Sequence, residues 1–174
     1  MSLILVAAYG LIGGMVALID RLEDENEKRS ELEPIFLAVV ASFLMGYLIA
    51  VDEGSAIIFT AILLGVIFGG KVDALPWLIG ILIAGGGLLS RILYDDFLAI
   101  IALPISLGVC GFLDEFGHER VPKIRDGLIQ WFFLRRMTLK LGMFAAAFFG
   151  AITSWHFIAF LAWDLAYEIV ASKK

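Results

Sequence analysis

The chain has 174 residues, of which 61% are hydrophobic and 18% charged, with a net charge of −5 and a mean hydropathy of +0.94. Soluble domains average roughly 45–50% apolar and about 25% charged residues, and a core of this size cannot hide such an excess from water. The arithmetic excludes a disordered chain, a disulfide scaffold (Cys110 is the single cysteine) and a basic nucleic-acid-binding domain, and it identifies an integral membrane protein.

A hydrocarbon core about 30 Å thick needs roughly 20 apolar residues in a helix. Apolar runs at 3–19, 35–51, 56–70, 74–90, 97–113 and 137–163 give about six transmembrane helices. Lipid admits only helices or closed barrels, and no run alternates as a barrel strand does. The expected fold is therefore all-α, a polytopic membrane protein forming a single helical bundle over residues 1–174. The region 56–90 reads as two spans rather than a re-entrant pair, because Gly69 and Gly70 stop one helix and Pro76 restarts the next.

Within the runs, Gly10 and Gly14, Gly65 and Gly69, and Gly142, Ala146 and Gly150 have the small-xxx-small spacing that lets membrane helices approach closely. We favour packing inside one subunit; the same glycine-rich faces would also suit a homo-oligomer. Gly85, Gly86 and Gly87 are expected to weaken the fourth span, and Pro104 to kink the fifth, together leaving room for a cavity.

Orientation follows from lysine and arginine in short loops. The loops at 20–34, 71–73 and 114–136, with Lys140 just beyond, carry ten of these residues, against Arg91, Lys173 and Lys174 on the other side. This places those loops in the cytoplasm and both termini outside. The start, Met1-Ser2, offers no positive n-region of a cleavable signal, so the first span is expected to be retained.

Charges that adjoin apolar spans are costly and default to functional hypotheses. The densest group is Asp114-Glu115-Phe116-Gly117-His118-Glu119. On a helix Asp114 meets His118, and Glu115 meets Glu119, four residues on. Carboxylates with an imidazole could hold a divalent metal, Mg²⁺ or Mn²⁺ first, or supply a general base. The plain alternative is a solvated loop, with Gly117 ending the helix. Glu115-x-x-His118 is half of a di-iron carboxylate pattern, but the other histidine, His156, has Thr153 where the second half needs an acid.

Asp114, Glu115 and His118 are the candidate catalytic groups, and Asp73 and Glu119 would complete a metal shell. Lys71, Arg136 and Lys140 would grip a phosphate, the chemistry that guanidinium forks suit; ordinary positive-inside anchoring explains them as well. On the outer side Asp95, Asp96 and Asp164 make a second candidate cation site, though salt-bridging to Arg91 accounts for them more cheaply. His156 is expected to bond a neighbouring helix. No phosphate-binding glycine loop, dinucleotide fingerprint, nucleophile elbow or paired-cysteine metal motif occurs.

The leading expectation is a small membrane-embedded enzyme that works with a divalent metal on a phosphate- or diphosphate-bearing lipid headgroup at the cytoplasmic interface. An ion or small-solute transporter using intramembrane acids is the first alternative, and a scaffold subunit of a larger membrane complex the second. Membrane lipids are the expected partners, and nucleic acid is not.

Overall fold

The computed structural model describes residues 2–24, 32–70, 72, 74–94, 101–118, 120–121 and 127–172. Lys71, Asp73, Asp95, Asp96 and Glu119 lie outside the described residues. Among the described residues stand eight α-helices and no strand: α1 (Ser2–Asp24), α2 (Leu32–Val51), α3 (Glu53–Phe68), α4 (Leu75–Tyr94), α5 (Ala102–His118), α6 (Gly127–Leu134), α7 (Met137–Phe148) and α8 (Ser154–Ala171). The all-α expectation holds.

The expected six spans do not. Three helices, α1, α2 and α4, are long and apolar enough to cross a bilayer, whereas α3 and α7 are apolar but shorter. The run at 137–163, expected to be one span, is two helices. Chain reversal occurs at 149–153, where Gly150 takes a left-handed φ of 77° that an L side chain resists. Hydropathy does not fall there because Phe148 and Phe149 flank the turn.

Contacts fix the direction of each helix. Tyr9 of α1 donates to Ser55 at the start of α3, while Asp20, further along α1, accepts from Tyr167 near the end of α8. His156, at the start of α8, meets Asp52, the N-cap of α3. Thus α1, α3 and α8 all run from an Asp52 end of the bundle towards an Asp20 end. Helix α2 returns, with α4 parallel to it: Gly46 lies on Ile83 and Ala84, and Arg91 donates to the Ala50 carbonyl. Helix α5 follows α3 downward, Gly111 on Gly65 and Glu115 beside Gly69, and α7 runs back up against α5. Seven helices therefore alternate along the bundle, with short α6 joining α5 to α7 at the Asp20 end. The first residues of α1 and the last of α8 lie at opposite ends.

Packing explains two sequence features differently from expectation. Helix α4 is unbroken through Gly85, Gly86 and Gly87. A Cβ on Gly87 would strike the Gly46 backbone, so this glycine lets α2 and α4 touch main chain to main chain. Gly13 does the same for α1 against Trp163 of α8. Pro104 kinks nothing: it is in the first turn of α5, where a missing N–H costs no hydrogen bond. Helix α5 also runs through Gly117 to His118.

All seven long helices contribute to the core, with Tyr9, Ile12, Ile49, Ile58, Phe59, Ala84, Leu107, Met143, Ala159 and Phe160 almost wholly buried. The outside is apolar as well: Phe36, Phe43, Leu82, Phe148 and Phe149 are each more than 60% exposed, a surface compatible with a membrane location.

Candidate functional site

Towards the Asp20 end the helices line an open cavity of about 1060 Å³, near the upper limit of the roughly 300–1,000 Å³ typical of small-molecule sites. Its deep wall is apolar, built by Met45 of α2, Ile62 and Val66 of α3, Ile81 of α4, and Trp163 of α8, with Trp77 in the first turn of α4 nearer the mouth. Its mouth is polar, with Asp20, Arg21, Glu115, His118, Arg136 and Tyr167 on the wall. Along α8, from Ser172 at the mouth to Trp163, the 1.5 Å rise per residue gives a depth of roughly 13 Å.

Arg136 is the structural pivot of the mouth. It precedes α7 in the left-handed conformation, φ 48°, and offers no side-chain cap to that helix. An L residue there costs of order 1 kcal/mol, so something must hold it. The guanidinium reaches Glu115 of α5 at 3.3 Å and lies over the Tyr167 ring, 5.2 Å from its centroid. Burial opposes its charge, but Tyr167 and Glu115 outweigh burial and push its pKa further up. Tyr167 in turn donates to Asp20 at 2.6 Å, which ties α8 to α1.

The cap that Arg136 cannot supply comes from another helix. Asp114, 2% exposed, accepts from the Thr138 N–H at 2.9 Å with Oδ1 and from the Leu139 N–H at 2.7 Å with Oδ2. A carboxylate on two free N–H groups at a helix N-terminus is balanced by both hydrogen bonds and the helix dipole. Each oxygen accepts one of these N–H groups. Asp114 is a structural acid in this arrangement, not a group turned to the cavity.

Lys140 is drawn into a second cluster. Its Nζ donates to the Arg135 carbonyl at 2.7 Å and pairs with Asp164 at 2.7 Å and Glu168 at 3.3 Å, while Arg135 also pairs with Glu168 at 3.0 Å. Asp164 therefore belongs to the Asp20 end, beside Lys140, and not to an outer cation site with Asp95 and Asp96. The turn at 149–153 reverses the chain and carries Asp164 back.

Of the residues singled out from sequence, Glu115, His118, Arg136, Lys140 and Asp164 do gather at one end. His118 lines the cavity, and its buried Nδ1 has no hydrogen-bond partner among the described residues. No three His, Cys, Asp or Glu side chains among the described residues come together as a metal-holding group. Asp114 caps α7 through backbone N–H groups, and Asp73 and Glu119, the other expected ligands, lie outside the described residues. We derive no step through a metal.

Sequence reasoning missed Asp20, Tyr167 and Trp163 as cavity residues. Trp163, Asp164, Tyr167, Glu168 and Ala171 recur at helical spacing and form one face of α8, a signal hidden while α8 was read as the end of a longer span. Comparison with protein-family models, with curated proteins and with solved structures gives no match.

Proposed function

We propose that this is an integral membrane protein whose cavity receives a membrane lipid and that it acts as an enzyme on the lipid headgroup at the Asp20 end. The observation that carries this reading is the graded wall of the cavity, apolar at Met45, Ile62 and Trp163 and charged at Arg136, Glu115 and Asp20. That gradient complements an amphiphile lying along the helices, chain inward and headgroup at the mouth. Helices α1, α2 and α4 cross the bilayer, and α3, α5, α7 and α8 complete a seven-helix bundle with it, the shorter ones shielded by neighbours or met by local thinning of the bilayer.

Charge placement supports an orientation. Among the described lysines and arginines, Arg21, Arg120, Arg135, Arg136 and Lys140 adjoin helix ends at the Asp20 end, and Arg91 the other. The positive-inside rule then puts the Asp20 end in the cytoplasm, with the C-terminus there and the N-terminus outside. This replaces the expectation that both termini are external.

In this reading His118, whose side chain lines the cavity, moves the proton, and Arg136 meets a phosphate oxygen with a geometry that carboxylate and phosphate share. The transporter alternative has less to rest on, because α4 is continuous through Gly85, Gly86 and Gly87 and Pro104 stands in the first turn of α5.

The test is to purify the protein in detergent, extract it and identify bound lipid by mass spectrometry, then follow headgroup change in mixed micelles by ³¹P NMR. Wild type is expected to retain a lipid and to alter a phosphate-bearing headgroup. Ala41→Leu, which fills the wall, is expected to lose the lipid, and His118→Gln to keep the lipid but lose turnover. Absence of bound lipid in the wild type, or headgroup chemistry unaffected by both variants, would overturn the reading. Solute flux in liposomes without headgroup change would instead establish the transporter.

A further inference from the structure

The polar wall of the cavity does not balance in charge. Arg136 is already met by Glu115 at 3.3 Å, and Arg135 by Glu168 at 3.0 Å, all four on the wall. Asp164 lines the cavity too and is held at 2.7 Å by Lys140, which does not. Helix α1 then adds Asp20, Arg21 and Glu23 in its last turns. Among the described residues this makes five carboxylates against four lysine and arginine side chains, Lys140 included. The excess of negative charge is on α1.

That excess bears on what the cavity can hold. Arg136 is well placed to take a phosphate, since its side chain is 33% exposed on the wall. A phosphate there arrives beside Glu115, and in the field of Asp20, which already helps to keep the guanidinium charged. A purely anionic headgroup thus adds like charge to a wall with too much of it, in a cleft that water screens only in part. A headgroup that brings its own cation removes this cost. Tyr167 joins the two halves of such a site: Arg136 lies over its ring, and its hydroxyl donates to Asp20 at 2.6 Å. Glu23, three residues beyond Asp20, is on the same side of α1 and on the same wall. Anion-seeking and cation-seeking groups therefore stand on either side of one phenol.

We propose that the cavity selects a zwitterionic lipid, with its phosphate on Arg136 and its ammonium group on Asp20 and Glu23. This rests on the lipid reading above and names the class of headgroup. Two sources share that chemistry. A primary ammonium, as in ethanolamine, gives the carboxylates N–H bonds as well as charge, whereas the quaternary ammonium of choline gives charge alone. Phosphatidylglycerol, with the same chains and phosphate but no cation, is the contrast.

The experiment offers the full chain, delipidated in a nonionic detergent, an equimolar mixture of phosphatidylethanolamine, phosphatidylcholine and phosphatidylglycerol with identical acyl chains. Native mass spectrometry reads which is bound. Wild type is expected to take at least one zwitterionic lipid over phosphatidylglycerol by about three- to fivefold, the effect of one partly solvated ion pair. Ethanolamine above choline identifies a hydrogen-bonded primary ammonium; choline equal to it or above identifies recognition by charge. Asp20→Asn keeps an acceptor for Tyr167, and Glu23→Gln changes an exposed side chain, so the double variant is expected to fold. It is expected to erase the preference, phosphatidylglycerol rising as the zwitterionic lipids fall, a gain that a damaged cavity does not produce. Equal binding of all three lipids by wild type, preference for phosphatidylglycerol, or a preference unchanged in the double variant would overturn the zwitterionic headgroup; the lipid reading stands in each case if Ala41→Leu loses the lipid. If wild type binds none of the three, or Ala41→Leu binds them as wild type does, the lipid reading falls with it.

Discussion

Asp114 shows how a residue can look catalytic in sequence and be structural in space. A carboxylate four residues from a histidine, at the polar end of an apolar helix, has the pattern of a metal ligand or base. Its partners, however, are the N–H groups of Thr138 and Leu139, 24 and 25 positions away, and nothing local in the sequence announces a cap delivered from another helix. The prediction belongs to stability. Asp114→Asn retains one acceptor and loses the charge, and is expected to cost about 1–2 kcal/mol; Asp114→Ala, which orphans both N–H groups beside the strained Arg136, should cost more. Thermal unfolding in detergent would measure both. An Asp114→Ala variant as stable as wild type would remove the cap from the account. Glu115 and Arg136 were more legible, since each stands at a helix end among apolar neighbours and each finds the other there.

At the scale of elements, α3 and α8 are fastened at the Asp52 end by one carboxylate. Asp52 caps α3 through the Ser55 N–H at 2.7 Å and accepts from His156 Nε2 at 2.8 Å, while His156 Nδ1 meets Thr153 at 2.7 Å. Burial alone would raise the Asp52 carboxyl; the hydrogen bonds from His156 and Ser55 outweigh it and hold the pKa at about 2, against an ordinary 3.8. A lowered pKa in the folded state means the contribution is present in full above about pH 4 and is lost as pH falls through about 2. Because Asp52 is partly solvated, the discounted contribution is roughly 1–2 kcal/mol. Asp52→Asn is therefore expected to be less stable than wild type at pH 6, with the gap closing as pH is lowered from about 4 to 2. A gap that stays constant across that window would contradict the assignment. The expectation that His156 bonds a neighbouring helix was readable from its depth in an apolar run; its partner was not, because Asp52 is 104 residues away.

Across the whole molecule, the long apolar helices are plain from hydropathy because α1, α2 and α4 combine the length and the composition that crossing a bilayer requires. The hairpin of α7 and α8 was not plain. The turn at 149–153 interrupts the backbone without interrupting the apolar run, since Phe148 and Phe149 remain exposed to the surroundings. That one missed turn inverted the position of Asp164, Glu168 and everything beyond, and so concealed that Lys140, Asp164 and Glu168 form one cluster. Restoring it changes the parity of the bundle, gathers the basic residues at one end and forms the polar mouth of the cavity from α1, α5 and α8.

The measurement that bears most directly on this account is the sidedness of the two ends of the chain. With Cys110 replaced by serine, single cysteines at Ser2 and Ser172 would be challenged in intact cells with a thiol reagent that cannot cross the membrane. The account predicts that Ser2→Cys is labelled at once and Ser172→Cys only after permeabilisation. Labelling of both from the same side would contradict the seven-helix arrangement and the cytoplasmic mouth that depends on it.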